Sequence, residues 1–260
     1  MEMSLAEIID RYTILKLKME GIDDYLTPNQ VIEEKPSMEK ELSLYGQVID
    51  EFCQMGIDIN NEIIQKLYEI NSRCKEMESN IRRNMDKLSN LNSEKMEEVG
   101  KSAILLRGFN EERIAVKNEI MKKHSITTKT IMMSLAEIID RYTILKLKKE
   151  RMSGLTSDQV LYEKPSLEKE YGLYGQAIDR FRQKDTEIEE EWINKLYEIN
   201  AKIWDIESDI RQGKEKILGL KEVGRRAIVI RELSEVRVAV KNEIVEKSKN
   251  GFKEVRVYIK

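Results

Sequence analysis

Met3–Lys18 reads MSLAEIIDRYTILKLK, and Met133–Lys148 reads MSLAEIIDRYTILKLK again, the same residue at every position. Other blocks recur in the same order. EKPSMEKELSLYGQVID (Glu34–Asp50) returns as EKPSLEKEYGLYGQAID (Glu163–Asp179), KLYEIN (Lys66–Asn71) as Lys195–Asn200, and AVKNEI (Ala115–Ile120) as Ala239–Ile244. A period of about 130 residues is too long for a solenoid repeat and fits two fused domains. The chain reads as two tandem copies, 1–130 and 131–260, related by pseudo-twofold symmetry. The offset between copies is 129 at Arg82/Arg211 and 124 at Val99/Val223, so the turn between them is five residues shorter in the second copy.

The quoted stretch also sets the fold class. Ser4 and Glu7, repeated as Ser134 and Glu137, have the spacing of a capping box ahead of an apolar run. On a helical wheel Leu5, Ile8, Ile9, Tyr12 and Leu15 form one apolar stripe, and Ile14 and Leu17 add a second edge. Glu7, Arg11 and Lys18 form a charged stripe on the far side, with Asp10 and Thr13 flanking the apolar one. A helix apolar on more than one side is expected at the centre of a bundle. Lys16 projects into the main stripe, where it must snorkel, pair with a carboxylate or face a ligand; snorkelling is the expected outcome.

Four helices per copy are expected. After a polar loop from Gly21 to Lys35, Pro36 and Pro165 read as the openings of helix two. Helix three shows heptad spacing: Ile63, Leu67, Ile70, Cys74, Met77, Ile81, Met85 and Leu88, then Trp192, Leu196, Ile199, Ile203, Ile206, Ile210 and Ile217. That spacing predicts a coiled-coil-like hairpin with helix four. Ser125–Ile131 and Phe252–Lys260 are β-prone and predict a short strand closing each copy, the two pairing with each other or with a second chain. The fold expected is all-α with these short terminal strands.

Charged residues make up 36 % of the chain and Pro occurs three times, a composition that favours long helices with solvated faces. Net charge is −3; residues 1–130 hold 19 Lys and Arg against 24 Asp and Glu, and residues 131–260 hold 26 against 24. Neither half is basic enough for generic nucleic-acid binding. Cys53 and Cys74 have no counterparts in the second copy, so they read as thiols of a reducing compartment rather than a disulfide or metal framework. No signal peptide or membrane-spanning run is evident, and a cytoplasmic protein is expected.

Catalytic signals are weak. His124 is the single histidine and is not repeated, and Gly-rich phosphate loops, nucleophile elbows and Cys/His metal spacings are missing. No cofactor, catalytic residue or metal is expected. The doubled polar residues point instead to binding. Asp10, Arg11, Lys18, Tyr68, Arg107, Arg113 and Lys117, with Asp140, Arg141, Lys148, Tyr197, Arg231, Arg237 and Lys241, supply donors for phosphate oxygens and flat faces for a base. The competing reading is interhelical ion pairs, such as Asp10 with Arg113, and core tyrosines. A Mg-dependent nucleotide pyrophosphohydrolase would need acidic clusters; Glu187, Glu189, Glu190 and Glu191 imitate one, but the first copy has Asp58, Asn60, Asn61 and Glu62 there.

LAEIIDRYTILKLK, followed by KLYEINAKIWDIESDIR and RELSEVRVAVKNEI, resembles an all-helical bacterial and phage family. That family has a GELIDKITILEIK-type opening, an LWEIE-type middle helix and an ND-x-R-x-x-x-K-x-x-I close. The resemblance implies an all-α unit and no established activity. Glu7, Asp10, Thr13, Lys18, Arg113 and Lys117 and their second-copy equivalents match it, whereas Lys16 departs from an acidic family position. The leading expectation is a non-enzymatic binder of a phosphate-bearing, nucleotide-like small molecule, a phage protein sequestering a host nucleotide immune signal. The alternatives are the hydrolase and a structural or protein-inhibiting helical adaptor. No membrane partner is expected, and a homo-oligomer stays open.

Overall fold

The computed structural model describes residues 2–22, 26–85, 93–124, 128–130, 133–151, 157–184, 186, 188–211 and 214–254. It is an all-α protein with one small β ladder. In order come β1 (Glu2–Ser4), α1 (Leu5–Glu20), α2 (Pro28–Gln54), α3 (Asn61–Met85), α4 (Ser93–Lys123), β2 (Thr128–Thr130), α5 (Leu135–Glu150), α6 (Ser157–Arg182), α7 (Glu190–Arg211), α8 (Glu215–Leu218) and α9 (Leu220–Ser248). Among the described residues no helix is long and apolar enough to cross a membrane.

The chain forms two compact units. One holds Met1–Ile131 with Gly213–Val229 and Val255–Lys260; the other holds Met132–Gln212 with Ile230–Glu254. The division falls inside α9 because the start of that helix packs on α4. An added Cβ at Gly100 would lie 2.1 Å from the Leu220 carbonyl oxygen, and one at Gly224 would lie 2.0 Å from that of Met96. Gly100 corresponds to Gly224, and Met96 to Leu220, so the two close approaches exchange equivalent positions. Beside them Ile81, Val99, Ala227 and Ile228 form a buried cluster.

The repeated stretch forms α1 and α5, which bury the same eight positions: Leu5, Ala6, Ile8, Ile9, Asp10, Thr13, Leu15 and Leu17, and their equivalents from Leu135 to Leu147. Ser4 Oγ accepts the Glu7 amide at 3.3 Å and Ser134 Oγ that of Glu137 at 3.2 Å, the serine half of the expected capping box, while the Glu7 and Glu137 carboxylates bond Arg11 and Lys117, and Arg141 and Lys241. In the first unit α1 lies against α2, α3 and α4; in the second α5 lies against α6 and α7. The wheel misplaced Glu7 and Arg11, which are half-buried rather than on an outer charged face. Lys16 snorkels as expected: it is exposed, with its ammonium 5.3 Å from the centre of the Tyr68 ring, and Lys146 likewise lies over Tyr197 at 4.7 Å.

Helix two starts eight residues before the expected proline. Thr27 and Gln30 form a capping box, Pro28 occupies the first turn, and Val31 packs on the Ile22–Met38 cluster. Pro36 therefore sits inside α2, and Pro165 inside α6. Pro36 removes the amide that would bond the Ile32 carbonyl, at a residue that is 73 % exposed.

Helix three buries Leu67, Ile70, Cys74 and Ile81 as its periodicity indicated, and Trp192, Leu196, Ile199 and Ile210 in the second copy. Ile217 does not continue that seam: α7 ends at Arg211, and Ile217 lies exposed in α8. The Met85 side chain and Leu88 fall outside the described residues. Of the two expected strands, β2 forms, but it pairs antiparallel with β1, Met3 opposite Lys129, rather than with the other tail. Residues 252–254 are not in a strand, and 255–260 lie outside the described residues.

Candidate functional site

Asp10 is fixed on α1 by its position between buried apolar neighbours, and its side chain is almost wholly buried. A buried carboxylate must be compensated, and three elements do this. From α3, Asn71 Nδ2 donates to Asp10 Oδ1 at 3.1 Å and to Thr13 Oγ1 at 2.9 Å. Thr13 Oγ1 donates to the Asp10 carbonyl at 2.8 Å. From α4, Arg113 Nε stands 3.5 Å from Asp10 Oδ1, and Lys117 Nζ lies 3.3 Å from Asp10 Oδ2 and 2.6 Å from Glu7 Oε2. Arg11 Nε completes the cluster on Glu7 Oε1 at 3.1 Å.

The second unit repeats the plan with changes at the arginine and the lysine. Asn200 Nδ2 bonds Asp140 at 3.1 Å and Thr143 at 3.0 Å, and Arg141 bonds Glu137 at 2.9 Å. Arg237 grips both oxygens of Asp140, through Nε at 2.8 Å and Nη2 at 2.5 Å. Lys241 bonds Glu137 at 2.9 Å and, in place of the aspartate, Glu254 at 2.6 Å. Asn242 holds that segment: its Oδ1 accepts the Glu254 amide at 2.7 Å, and its Nδ2 donates to the Glu254 carbonyl at 3.2 Å. The carboxylates of Glu137, Glu254 and Asp140 raise the Lys241 pKa against the opposing effect of burial, and Asp140 raises that of Arg237 likewise.

Eight of the fourteen expected binding residues thus meet in two equivalent clusters: Asp10, Arg11, Arg113 and Lys117, and Asp140, Arg141, Arg237 and Lys241. Within each, cations and carboxylates bind one another, including the Asp10–Arg113 pair of the competing reading. The other six lie elsewhere. The hydroxyls of Tyr68 and Tyr197 donate to Glu20 and Glu150 at the far ends of α1 and α5, about 15 Å along the axis from Asp10 and Asp140 at 1.5 Å per residue. The Glu20 hydrogen bond, with burial and the carboxylate's charge, raises the Tyr68 pKa to about 12. Arg107 bonds Glu111 on its own helix at 2.9 Å, and Arg231 stands 3.7 Å from Glu235. Lys18 is half-buried and Lys148 exposed, both outside the clusters.

Glu7, Thr13 and Asn71 were visible as doubled residues but not as members of one network. Glu254 and Asn250 carried no repeat signal, because the first copy has Thr130 and Ile126 at those positions. Asn250 Oδ1 accepts the Leu135 amide at 2.8 Å, so the tail also caps α5.

The acidic run does not converge. Glu189 bonds Lys247, Glu190 bonds Arg182, and Glu191 pairs with Lys195, while Glu187 lies outside the described residues. Among the described residues no group of three His, Cys, Asp or Glu side chains is placed to hold a metal ion. Comparison with protein-family models, with curated proteins and with solved structures finds no match to this chain.

Proposed function

We propose that this chain is a non-enzymatic binding protein for a phosphate-bearing, nucleotide-like small molecule, and that the Arg113–Lys117 cluster receives the phosphate. One observation carries this reading. Arg11, Arg113 and Lys117 bring three positive charges together in one half-buried cluster around Glu7 and Asp10. In a partly desolvated site a cation attracts an anion more strongly than it does in water. The family resemblance extends the proposal to a phage protein that sequesters a host nucleotide signal. The doubled blocks support two tandem homologous bundles with coiled-coil-like hairpins.

Calorimetric titration with inorganic pyrophosphate and with ADP tests the binding. Heat of binding that disappears in Lys117→Met, with helicity retained, is the expected result. Silence of both probes against the unaltered protein refutes the reading. The adaptor reading is favoured by one feature, the exposed Ile114 and Met121, two turns apart on one face of α4.

A further inference from the structure

Asn242 on α9 holds a length of extended chain. Its Oδ1 accepts the Glu254 amide at 2.7 Å, and its Nδ2 donates to the Glu254 carbonyl at 3.2 Å. One carboxamide thus meets both backbone groups of a single residue, a recognition that asks nothing of that residue's side chain. One turn further along the helix, Glu246 pairs with Lys253, the residue before the clamped one. The first unit presents the same carboxamide to solvent. At the offset of 124, Asn118 corresponds to Asn242, Met121 to Val245 and Lys122 to Glu246. Asn118 and Lys122 are exposed, and Met121 is 46 % exposed where Val245 is 8 %. Ile114, one turn before Asn118, is exposed as well. Ala115, Asn118 and Lys122 line an open groove of about 690 Å³, and the backbone of Thr128–Thr130, in the place of 252–254, forms its ladder with β1.

We propose that this face of α4 is a docking surface for an extended segment of a partner protein, with Asn118 clamping the backbone of one residue as Asn242 clamps Glu254. Backbone bonds of this kind give affinity, and the side chains on either side give selectivity. Ile114 and Met121 offer apolar contact before and after the clamp. The charge at the next turn defines the segment. Lys122 stands where Glu246 meets Lys253, so the residue before the clamped one is acidic. The same reversal disfavours the tail of a second copy, because its Lys253 would face Lys122. The surface is separate from the buried charge cluster and does not depend on phosphate binding.

The test is side-chain amide NMR of the full chain, titrated with two synthetic peptides: residues 250–257 of this sequence, and the same peptide carrying Lys253→Glu. With the Lys253→Glu peptide the Asn118 amide signals shift and saturate while those of Asn242 stay still. The unaltered peptide binds about two- to fivefold more weakly, the range of an exposed ion pair. Lys122→Glu in the protein reverses the order of the two peptides, and Asn118→Ala weakens both by about tenfold, the loss of two backbone bonds. Asn118 signals that stay still with both peptides overturn the docking surface. Saturating shifts whose ranking is unchanged in Lys122→Glu overturn the acidic segment as its occupant.

Discussion

Replacing Arg237 by Met removes the two bonds that hold Asp140, at 2.8 and 2.5 Å, and leaves a nearly fully buried carboxylate that keeps the Asn200 amide as a donor. Breaking a buried ion pair from one side costs about 3–5 kcal/mol. The Arg237 side chain is itself 29 % exposed, and Lys241 still interacts with Asp140. The lower end, about 3 kcal/mol, is therefore the expected loss. The equivalent Arg113→Met should cost less, about 1–2 kcal/mol, because Arg113 stands farther away and Lys117 already bonds Asp10. Both tryptophans, Trp192 and Trp204, belong to the second unit. Urea unfolding followed by fluorescence therefore reports that unit, while circular dichroism follows the helices of both. Asp140→Asn combined with Arg237→Met should be less destabilising than the sum of the single changes by about 2 kcal/mol. A fluorescence-detected loss below about 1 kcal/mol for Arg237→Met, or strict additivity in the cycle, would refute a load-carrying role for the buried pair.

Three further expectations come from other parts of the molecule. Gly100→Ala drives a methyl against the Leu220 backbone and should destabilise the first unit by about 1–3 kcal/mol. Gly108→Ala on the same helix meets open space and should stabilise by about 0.5–1 kcal/mol, so equal effects in circular dichroism melts would contradict the close crossing. Burial raises the Cys74 thiol to about 11 while Cys53 is exposed, so a thiol reagent at pH 8 should label one cysteine quickly and the other only on unfolding. Tyr68 titrates at about 12 instead of 10.0, so its folded pKa is the higher one. Its contribution to stability is then complete below pH 10 and is lost as pH rises towards 12. Glu20→Gln should bring the resolved Tyr68 NMR titration back towards 10, and an unchanged midpoint would remove Glu20 as the cause.

Much of the fold was legible because local rules and burial agreed. Ser4 and Ser134 cap their helices, and the period of α3 places Leu67, Ile70, Cys74 and Ile81 inside. The start of α2 was misread because Pro28 and Pro36 both satisfy the rule for a first-turn proline, and the choice depends on Val31 reaching the Ile22–Met38 cluster. Lys16 was legible as a snorkelling side chain, because a four-carbon stem lets the ammonium leave the apolar stripe, but its seat over Tyr68 depends on the packing of α3.

The repeated sequence by itself determined that the chain is helical, that α1 and α5 are central, and that Asp10, Arg113 and Lys117 belong to a doubled set. Those properties depend on residue spacing along one helix and on identity between copies. The tertiary structure alone decided what the set does. Charges separated by more than a hundred positions, such as Glu7 and Lys117, interact only after the helices pack. The position of Glu254 on Lys241 lay beyond the reach of the repeat, because the first copy has a threonine at the corresponding position in the sequence.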